Sequence, residues 1–436
     1  MSRSLPLAYL LSSIRTILPL LALLIFAGLA ACQRPGEEPL RPSDPTPTPT
    51  ATATQTTANG SPNGRIVYLG TDFQVYTTDP LGEESRPVTQ GSGSYSWPGW
   101  SMNNGRLVYS SFSQETALYS AEASGAERVI LYENAPGTGS VAGLRAPHYA
   151  LWSPNGLYVT FLAVGESGLS LYVVPGSGQQ EARQIATGEP MYMSWSSNSR
   201  SLLVHLADGL FRVDMDAQGR LLDLEAESLV YRVPAWSPDG NSTAFIVTET
   251  KGHVLYVGRF DGSLRRAVAT VQGIGAFQWS PQGGHLAVGQ SLNEGDPLLR
   301  DIRVVEVETG DSRTLVEGAV MAFFWSPDGS QLAYVTTNAT STALQWRVVD
   351  VVTGEDRKVA DFFPSSDQVI WLTYFDQYRY SHQVWSPDSR YLVFAGTLVE
   401  GDAADGQASQ VFVLDVDGSE PPLALATGLL ASWSHG

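Results

Sequence analysis

Short apolar runs alternate with clusters of turn residues along most of this chain, and one order of runs recurs. In each unit an apolar run ends in Trp-Ser, a turn of Pro, Asn, Asp or Gly follows, and further apolar runs come after it. Neighbouring pairs are 41 to 60 residues apart, a spacing typical of four-stranded propeller blades. The pairs begin at Trp100, Trp152, Trp195, Trp236, Trp279, Trp325, Trp385 and Trp433.

The runs within a unit predict the strands of one blade. After Trp152 the runs are 157–162, 171–174 and 183–187, separated by a loop and a Gly-containing turn. They are rich in Val, Tyr, Phe and Leu, which favour strands. With the run that leads into the tryptophan, each unit has four short strands. The sequence therefore predicts an antiparallel meander in each blade.

The turn residues have a mechanical explanation. Pro presets φ for the first corner of a tight turn, Asp or Asn bonds to nearby backbone, and Gly adopts a positive φ. Tryptophan offers a large apolar surface that neighbouring sheets can bury. We therefore interpret the repeated Asp239, Asp328 and Asp388 as structural, with a metal or catalytic role as the alternative.

The two ends of the repeat region complement each other. Residues 61–68 supply a turn and a second strand with no first strand before them, whereas 429–434 supply a first strand with nothing after it. The predicted fold class is thus all-β, a single β-propeller of eight four-stranded blades closed by pairing of its N- and C-terminal strands. Closure of this kind leaves no unpaired edge. Seven blades is the alternative if one weak unit is incomplete.

Turns such as Trp236-Ser237-Pro238-Asp239-Gly240 resemble the TolB-type β-propeller repeat, and the resemblance covers residues 61–436. It implies the fold rather than an activity, because such repeats occur in scaffold proteins, in the propellers of oligopeptidase-like enzymes and in lipoproteins. TolB has an α/β domain before its propeller, whereas a low-complexity stretch precedes the repeats here. The oligopeptidase-like enzymes carry an α/β-hydrolase domain, and we expect none here, because the repeats extend to Gly436.

The first 60 residues predict export and anchoring. Arginines flank an early segment, an apolar run covers 17–31, and Leu29-Ala30-Ala31-Cys32 resembles a bacterial lipobox. We expect a lipoprotein signal peptide over 1–31 and lipidation of Cys32, the only cysteine. An uncleaved signal anchor is the alternative. Residues 32–60 are rich in Thr and Pro and predict an extended tether, and 61–436 form the predicted TolB-like propeller.

Charge and motifs limit the chemistry. The net charge is −18, with 26 basic and 44 acidic side chains, so no basic face for nucleic acid is expected. The chain has no G-x-S-x-G elbow, no H-E-x-x-H, no phosphate loop and no cysteine pair. We therefore predict neither a catalytic residue nor a metal or other cofactor, and we expect that the chain is not an enzyme.

A few side chains near blade tryptophans are candidates for a site at the central channel. His148 and His382 each precede a repeat tryptophan on a predicted innermost strand, and Arg145, Arg232 and Arg379 occupy similar positions. A cluster of Arg and His at a channel mouth could hold an anion. The alternative is that both histidines bond to backbone in a wet channel.

Long connections suggest a different site. Those at 132–147, 289–300, 336–343, 361–380 and 396–409 are predicted on the face opposite the Trp-Ser turns, which marks that face as the binding side. The segment 361–380 offers Trp371, Tyr374, Phe375 and Tyr378 as ligand-binding candidates, and we favour Trp371 and Tyr374 as anchors. The alternative is that these rings fill a gap between blades. Acidic residues accompany them at Glu294, Asp296, Asp301, Glu400, Asp402 and Asp405.

These observations favour a membrane-tethered, extracytoplasmic binding or scaffold propeller of the bacterial cell envelope. The expected partners are the membrane, through lipid on Cys32, and an envelope protein or glycan. The chain is expected to be a monomer. The alternative function is a propeller enzyme, a polysaccharide lyase or hydrolase or a peptidase relative, that uses His and Arg at the channel mouth.

Overall fold

The computed structural model describes residues 64–435 except 104, 113–115, 135–146, 166–167, 216–220, 228–232, 294–295, 297 and 400–407. The chain divides into a unit of residues Met1–Pro62 and a unit of Asn63–Gly436. Cys32 and the predicted tether lie outside the described residues. No helix within the described ranges is long and apolar enough to cross a membrane.

Antiparallel strands make up most of the second unit. They are β1 (Ile66–Gly70), β2 (Val75–Thr78), β3 (Arg86–Pro87), β4 (Tyr95–Trp100), β5 (Arg106–Ser111), β6 (Ala117–Glu122), β7 (Val129–Glu133), β8 (His148–Trp152), β9 (Tyr158–Gly165), β10 (Gly168–Pro175), β11 (Arg183–Thr187), β12 (Met191–Trp195), β13 (Ser201–Leu206), β14 (Gly209–Asp214), β15 (Leu221–Glu227), β16 (Ala235–Trp236), β17 (Ser242–Glu249), β18 (Gly252–Arg259), β19 (Arg266–Val271), β20 (Gly275–Trp279), β21 (His285–Gln290), β22 (Leu299–Glu306), β23 (Ser312–Val320), β24 (Ala322–Trp325), β25 (Gln331–Thr337), β26 (Leu344–Asp350), β27 (Asp356–Pro364), β28 (Tyr391–Leu398), β29 (Gln410–Asp415) and β30 (Leu423–Trp433).

The sheets follow the predicted meander. Strands β4–β7, β8–β11, β12–β15, β16–β19 and β20–β23 each form a four-stranded sheet of consecutive strands. The remaining strands form one sheet in the order β24, β25, β26, β27, β28, β29, β30, β1, β2, β3. The prediction of an all-β fold built from four-stranded antiparallel sheets is confirmed, and these sheets fit a propeller.

The last strand, β30, belongs to two strand pairs. Its first half pairs with β29, where Thr427 lies opposite Gln410. Its second half pairs with β1, where Trp433 lies opposite Ile66. The pairing continues beyond the strand, because the Ser434 amide donates to the Arg65 carbonyl at 2.7 Å. Residues more than 360 positions apart are thus neighbours in one sheet.

The Trp-Ser turns are held by hydrogen bonds that explain the repeated serine and the repeated acid or amide. In the turn at Trp236, the Ser237 hydroxyl donates to the Asp239 carboxylate and accepts the Ser242 amide at 2.9 Å. The turn at Trp152 uses an amide instead, since the Ser153 hydroxyl donates to the Asn155 side-chain oxygen at 2.7 Å. These bonds support the structural interpretation of the repeat Asp residues.

The repeat tryptophans join neighbouring sheets. In three repeats the indole N–H donates to the carbonyl of the residue that precedes the tryptophan of the preceding repeat. The bonds run from Trp236 to Ser194, from Trp325 to Gln278 and from Trp385 to Phe324, at 3.3, 3.2 and 3.1 Å. The same side chain therefore buries apolar area and fixes neighbouring repeats to each other.

The connection between β27 and β28 folds into two helices, α1 (Ser366–Thr373) and α2 (Phe375–Tyr378). Ser365 caps α1 by accepting the Gln368 amide at 3.0 Å, which satisfies one of the free N–H groups of the first turn. The α2 helix packs against β20 and β24. Phe375 contacts Phe323 with ring centroids 4.9 Å apart. The sequence predicted a long surface connection here, but the segment is part of the core.

Candidate functional site at the Trp-Ser turns

A cavity of about 470 Å³ lies among the Trp-Ser turns. Tryptophans from five repeats contribute to its wall, together with turn residues of the repeat and the segment that follows α2. The tryptophans are Trp195, Trp236, Trp279, Trp325 and Trp385, the turn residues include Met102, Ser197, Pro238, Pro281, Pro327, Pro387, Ser434 and His435, and the segment supplies Arg379, Tyr380, His382, Gln383 and Val384. This volume and aromatic wall suit a small organic ligand.

Among the described residues, Arg379 is the one charged side chain that lines the cavity, and no Asp or Glu lines it. Its guanidinium lies over the Tyr380 ring, 4.3 Å from the centroid, and donates to the Tyr380 hydroxyl. Arg379 makes no salt bridge with any carboxylate in the described part of the chain. Most of its five N–H donors thus remain available to an acceptor.

His382 is buried against aromatic rings, the Trp97 ring lying 5.7 Å away between centroids. The Ser381 hydroxyl donates to the Tyr378 carbonyl at 3.1 Å, so Nδ1 of His382 donates to that hydroxyl across 2.7 Å. Nε2 then carries the lone pair, and no described residue donates to it. Burial lowers the pKa of His382 to about 3, aided by nearby His435, so its imidazole is neutral at pH 7.

His435 lines the same cavity and was not among the candidates predicted from the sequence. It follows Trp433-Ser434 at the position where most repeats have proline, and Pro238, Pro281, Pro327 and Pro387 at that position also line the cavity. Alignment of the eight repeats would therefore have found it. Burial lowers the pKa of His435 to about 4, against the opposing effect of a hydrogen bond with the Trp100 backbone.

The aromatic candidates of the 361–380 segment are mostly core residues. Trp371, Phe375 and Tyr378 are buried, whereas Tyr374 is 41% exposed. Trp371 is packed in the core, because its ring stacks on Phe324 with centroids 5.4 Å apart. Their assignment as ligand-binding residues stays a prediction, and burial leaves Tyr374 as the accessible one.

The other candidates do not gather at one place. His148 begins β8 and does not line the cavity that holds His382. Arg145 and Arg232, like Glu294, Glu400, Asp402 and Asp405, lie outside the described residues. Two described acids bond to their own surroundings: Asp296 accepts the Asn293 amide at 3.0 Å, and Asp301 accepts the Gly318 amide at 2.6 Å. Within the described ranges, no cluster of three or more His, Cys, Asp or Glu side chains suits a metal ion.

No family model matches this chain. Among curated proteins it is 23% identical over 280 residues to a subunit of eukaryotic translation initiation factor 3 from Bombyx mori, covering 56% of this chain and 35% of that protein. It is 30% identical over 174 residues to the uncharacterized peptidase YuxL of Bacillus subtilis, covering 39% of this chain and 22% of that protein. The chain thus spans about a third or less of the length of these relatives.

Solved structures agree on the fold. The dihydro-heme d1 dehydrogenase NirN matches with a TM-score of 0.56 at 13% identity, over 87% of this chain and 76% of that one. Oligogalacturonate lyase in complex with manganese matches with a TM-score of 0.50 at 14% identity, over 82% of this chain and 98% of that one. TolB from Acinetobacter baumannii matches with a TM-score of 0.40 at 14% identity, over 79% of this chain and 82% of that one. The fold is a β-propeller. A TolB protein is among its structural neighbours.

These comparisons also correct one expectation. The absence of familiar catalytic motifs led us to expect that this propeller is not an enzyme. That inference is wrong, because propellers similar to this chain include a lyase and a dehydrogenase, and one curated relative is a peptidase. At identities of 12 to 14%, the solved structures establish the fold alone.

Proposed function

We propose that this protein is a ligand-binding propeller of the bacterial cell envelope, and that its ligand occupies the cavity at the Trp-Ser turns. The observation that supports this most directly is the wall itself, in which five repeat tryptophans surround about 470 Å³ of space beside Arg379. Aromatic walls with a few fixed polar groups are typical of small-ligand sites. The proposal moves the binding side from the long connections to the turn side of the propeller.

The envelope location rests on the first 60 residues. The boundary Leu29-Ala30-Ala31-Cys32 supports lipidation of Cys32, and the Thr/Pro-rich residues that follow support a tether between the membrane and the propeller. A lipid-anchored propeller can present its cavity to ligands outside the cytoplasm. The group that binds in the cavity would belong to an envelope protein or glycan.

The architecture we propose has eight blades. The five four-stranded sheets account for five of them, and the sheet that runs from β24 to β3 would supply three more. Pairing of β30 with both β29 and β1 supports a last blade assembled from the two ends of the repeat region. Such a blade would close the ring by removing the free edges.

A propeller enzyme is the second candidate function. The observation that favours it is that two imidazoles, those of His382 and His435, share the cavity with the guanidinium of Arg379. Neutral imidazoles can accept a proton or bind a metal. Turnover of the captured ligand by the wild-type protein, lost in Arg379→Gln, would favour this candidate.

Blocking the cavity tests the proposed function. Ser197 lies on an exposed turn and lines the cavity, so Ser197→Phe places a ring in the mouth without changing the core. Thr250→Phe is the matched control, because Thr250 lies on an exposed turn between β17 and β18 and does not line the cavity. The full chain in detergent is incubated with envelope extract, washed and analysed for bound small molecules and polypeptides by mass spectrometry.

We expect the wild type and Thr250→Phe to retain the same ligand and Ser197→Phe to lose it. Equal capture by all three proteins at unchanged melting temperature would exclude the cavity as the binding site. A loss that Tyr374→Ala alone produces would return the site to the 361–380 segment.

A further inference from the structure

Several polar groups of the cavity wall are already matched to protein partners, whereas Nε1 of Trp279 and Nε2 of His382 and of His435 have none among the described residues. The indole N–H groups of Trp236, Trp325 and Trp385 donate to carbonyls of the preceding repeats, so they are not available to a ligand. The Gln278 amide donates to the Phe323 carbonyl at 2.8 Å. What these residues offer the cavity is therefore mainly flat apolar surface.

Arg379 differs from these groups because its side chain is charged. Its one side-chain hydrogen bond in the described part of the chain goes to the neighbouring Tyr380 hydroxyl, and no carboxylate there pairs with it. Half-burial places the guanidinium where solvent screens it less than on an open surface. The two histidines of the wall add no charge at neutral pH, and no acid of the described ranges lines the cavity. The described wall carries a single positive charge in a protein of net charge −18.

We propose that the cavity takes a ligand with a carboxylate on a flat, largely apolar body, and that Arg379 binds the carboxylate. The proposal deepens the proposed function and rests on it. A planar guanidinium forms two parallel hydrogen bonds with a carboxylate, which fixes the orientation of the ligand as well as attracting it. The tryptophan wall then packs against the flat body.

The test uses three probes of one size. Benzoate, benzyl alcohol and benzylamine share a ring and differ in charge, and inorganic phosphate supplies an anion without a ring. Binding to the full chain in detergent is measured by calorimetry at constant ionic strength, for the wild type, Arg379→Gln, Arg379→Lys and Arg390→Gln. Arg390 is the matched control, since its guanidinium also lies over a tyrosine ring, that of Tyr391, at 5.4 Å, but it does not line the cavity.

We expect benzoate to bind more tightly than the neutral or cationic probe and than phosphate. Arg379→Gln should weaken benzoate binding by about tenfold or more, because hydrogen bonds to a charged group contribute about 1.5–3 kcal/mol. Arg379→Lys should retain part of the affinity for benzoate, because the positive charge remains while the two parallel N–H donors of the guanidinium are lost. Arg390→Gln should bind benzoate like the wild type. Near-ultraviolet circular dichroism confirms that each variant is folded.

Several results would overturn the inference. They are absence of benzoate binding, equal affinity for benzoate and benzyl alcohol, tighter binding of phosphate, and an Arg379→Gln variant that binds benzoate like the wild type. Benzyl alcohol binding that Ser197→Phe abolishes would reject the anionic class while leaving the cavity as the ligand site. Equal capture of the envelope ligand by the wild type, Ser197→Phe and Thr250→Phe would instead reject the proposed function.

Discussion

The ring of Tyr378 stacks on the ring of Trp97, with centroids 4.4 Å apart and planes 19° from parallel. Tyr378 also meets Tyr149 edge to face at 5.7 Å. Both partners have positive φ, +52° and +50°, and lie at register shifts of β4 and β8. A bulge re-aims a side chain from its strand, and here two bulges direct rings toward α2. The helical insertion is thus packed against strands of several sheets.

Removing the Tyr378 ring should destabilise the protein strongly. We expect Tyr378→Ala to lower the free energy of unfolding by about 3–5 kcal/mol, because a large buried aromatic leaves a cavity when it is truncated. Urea denaturation followed by fluorescence measures the change. Tyr374→Ala, at an exposed tyrosine of the same segment, should cost under about 1 kcal/mol. Equal losses in the two variants would contradict the packing of α2 as the source of stability.

Deleting residues 427–436 tests closure. The deletion removes the half of β30 that pairs with β1 and exposes a strand edge, so we expect a loss of several kcal/mol and a lower melting temperature. Leu423→Ala is the control, since Leu423 lies at the exposed start of the same strand. A melting temperature that stays at the wild-type value after the deletion would refute the closure model.

Stability should fall as the pH drops below about 6.5. Burial lowers the pKa of His382 to about 3 and that of His435 to about 4, so the unfolded chain binds protons that the folded protein does not. The stability that these neutral histidines contribute is complete above pH 6.5. It is lost as the pH falls toward 4 for His435 and toward 3 for His382, at up to about 1.4 kcal/mol per pH unit for each. Urea denaturation at several pH values should show a smaller slope in His382→Asn.

The repeat aspartates should stabilise the protein through the hydrogen bonds of the Trp-Ser turns. Ser237 and Asn241 donate to Asp239, and the Ser237 bond is the main reason why the pKa of this carboxyl lies below its ordinary value. We expect Asp239→Ala to cost about 1 kcal/mol, whereas Asp239→Asn should cost less because Asn155 fills this position in another repeat. The measurement is chemical denaturation. A larger loss in the Asn variant than in the Ala variant would argue for a role of the negative charge itself.

Lipidation of Cys32 is open to direct labelling. Cells that express the wild type or Cys32→Ser are grown with a radioactive fatty acid, and we expect label in the wild type alone, because the thiol is the group that carries the lipid. Thr46→Ser, within the tether, should be labelled like the wild type. Equal label in the Cys32→Ser protein would reject the lipobox prediction.

The sequence alone determined the repeated strands, because alternating apolar runs and turn residues are local signals. The run 183–187 corresponds to β11 (Arg183–Thr187), and the Trp-Ser turns lie where the pattern puts them. The sequence did not determine the strand lengths. The apolar run 171–174 lies within the longer strand β10 (Gly168–Pro175), because strand ends depend on pairing partners. The complementary ends also predicted a first strand after residue 428, which the structure pairs with β1.

Only the tertiary structure decided the site. An aromatic segment has the same composition whether it covers a surface or fills a gap, so burial of Trp371 and exposure of Tyr374 depended on where α1 and α2 pack. Likewise, His435 and Arg379 are 56 positions apart and meet in one cavity because the last strand returns to the first. Local propensity fixes which residues form strands and turns, whereas contacts between distant sheets fix which side chains surround an empty space.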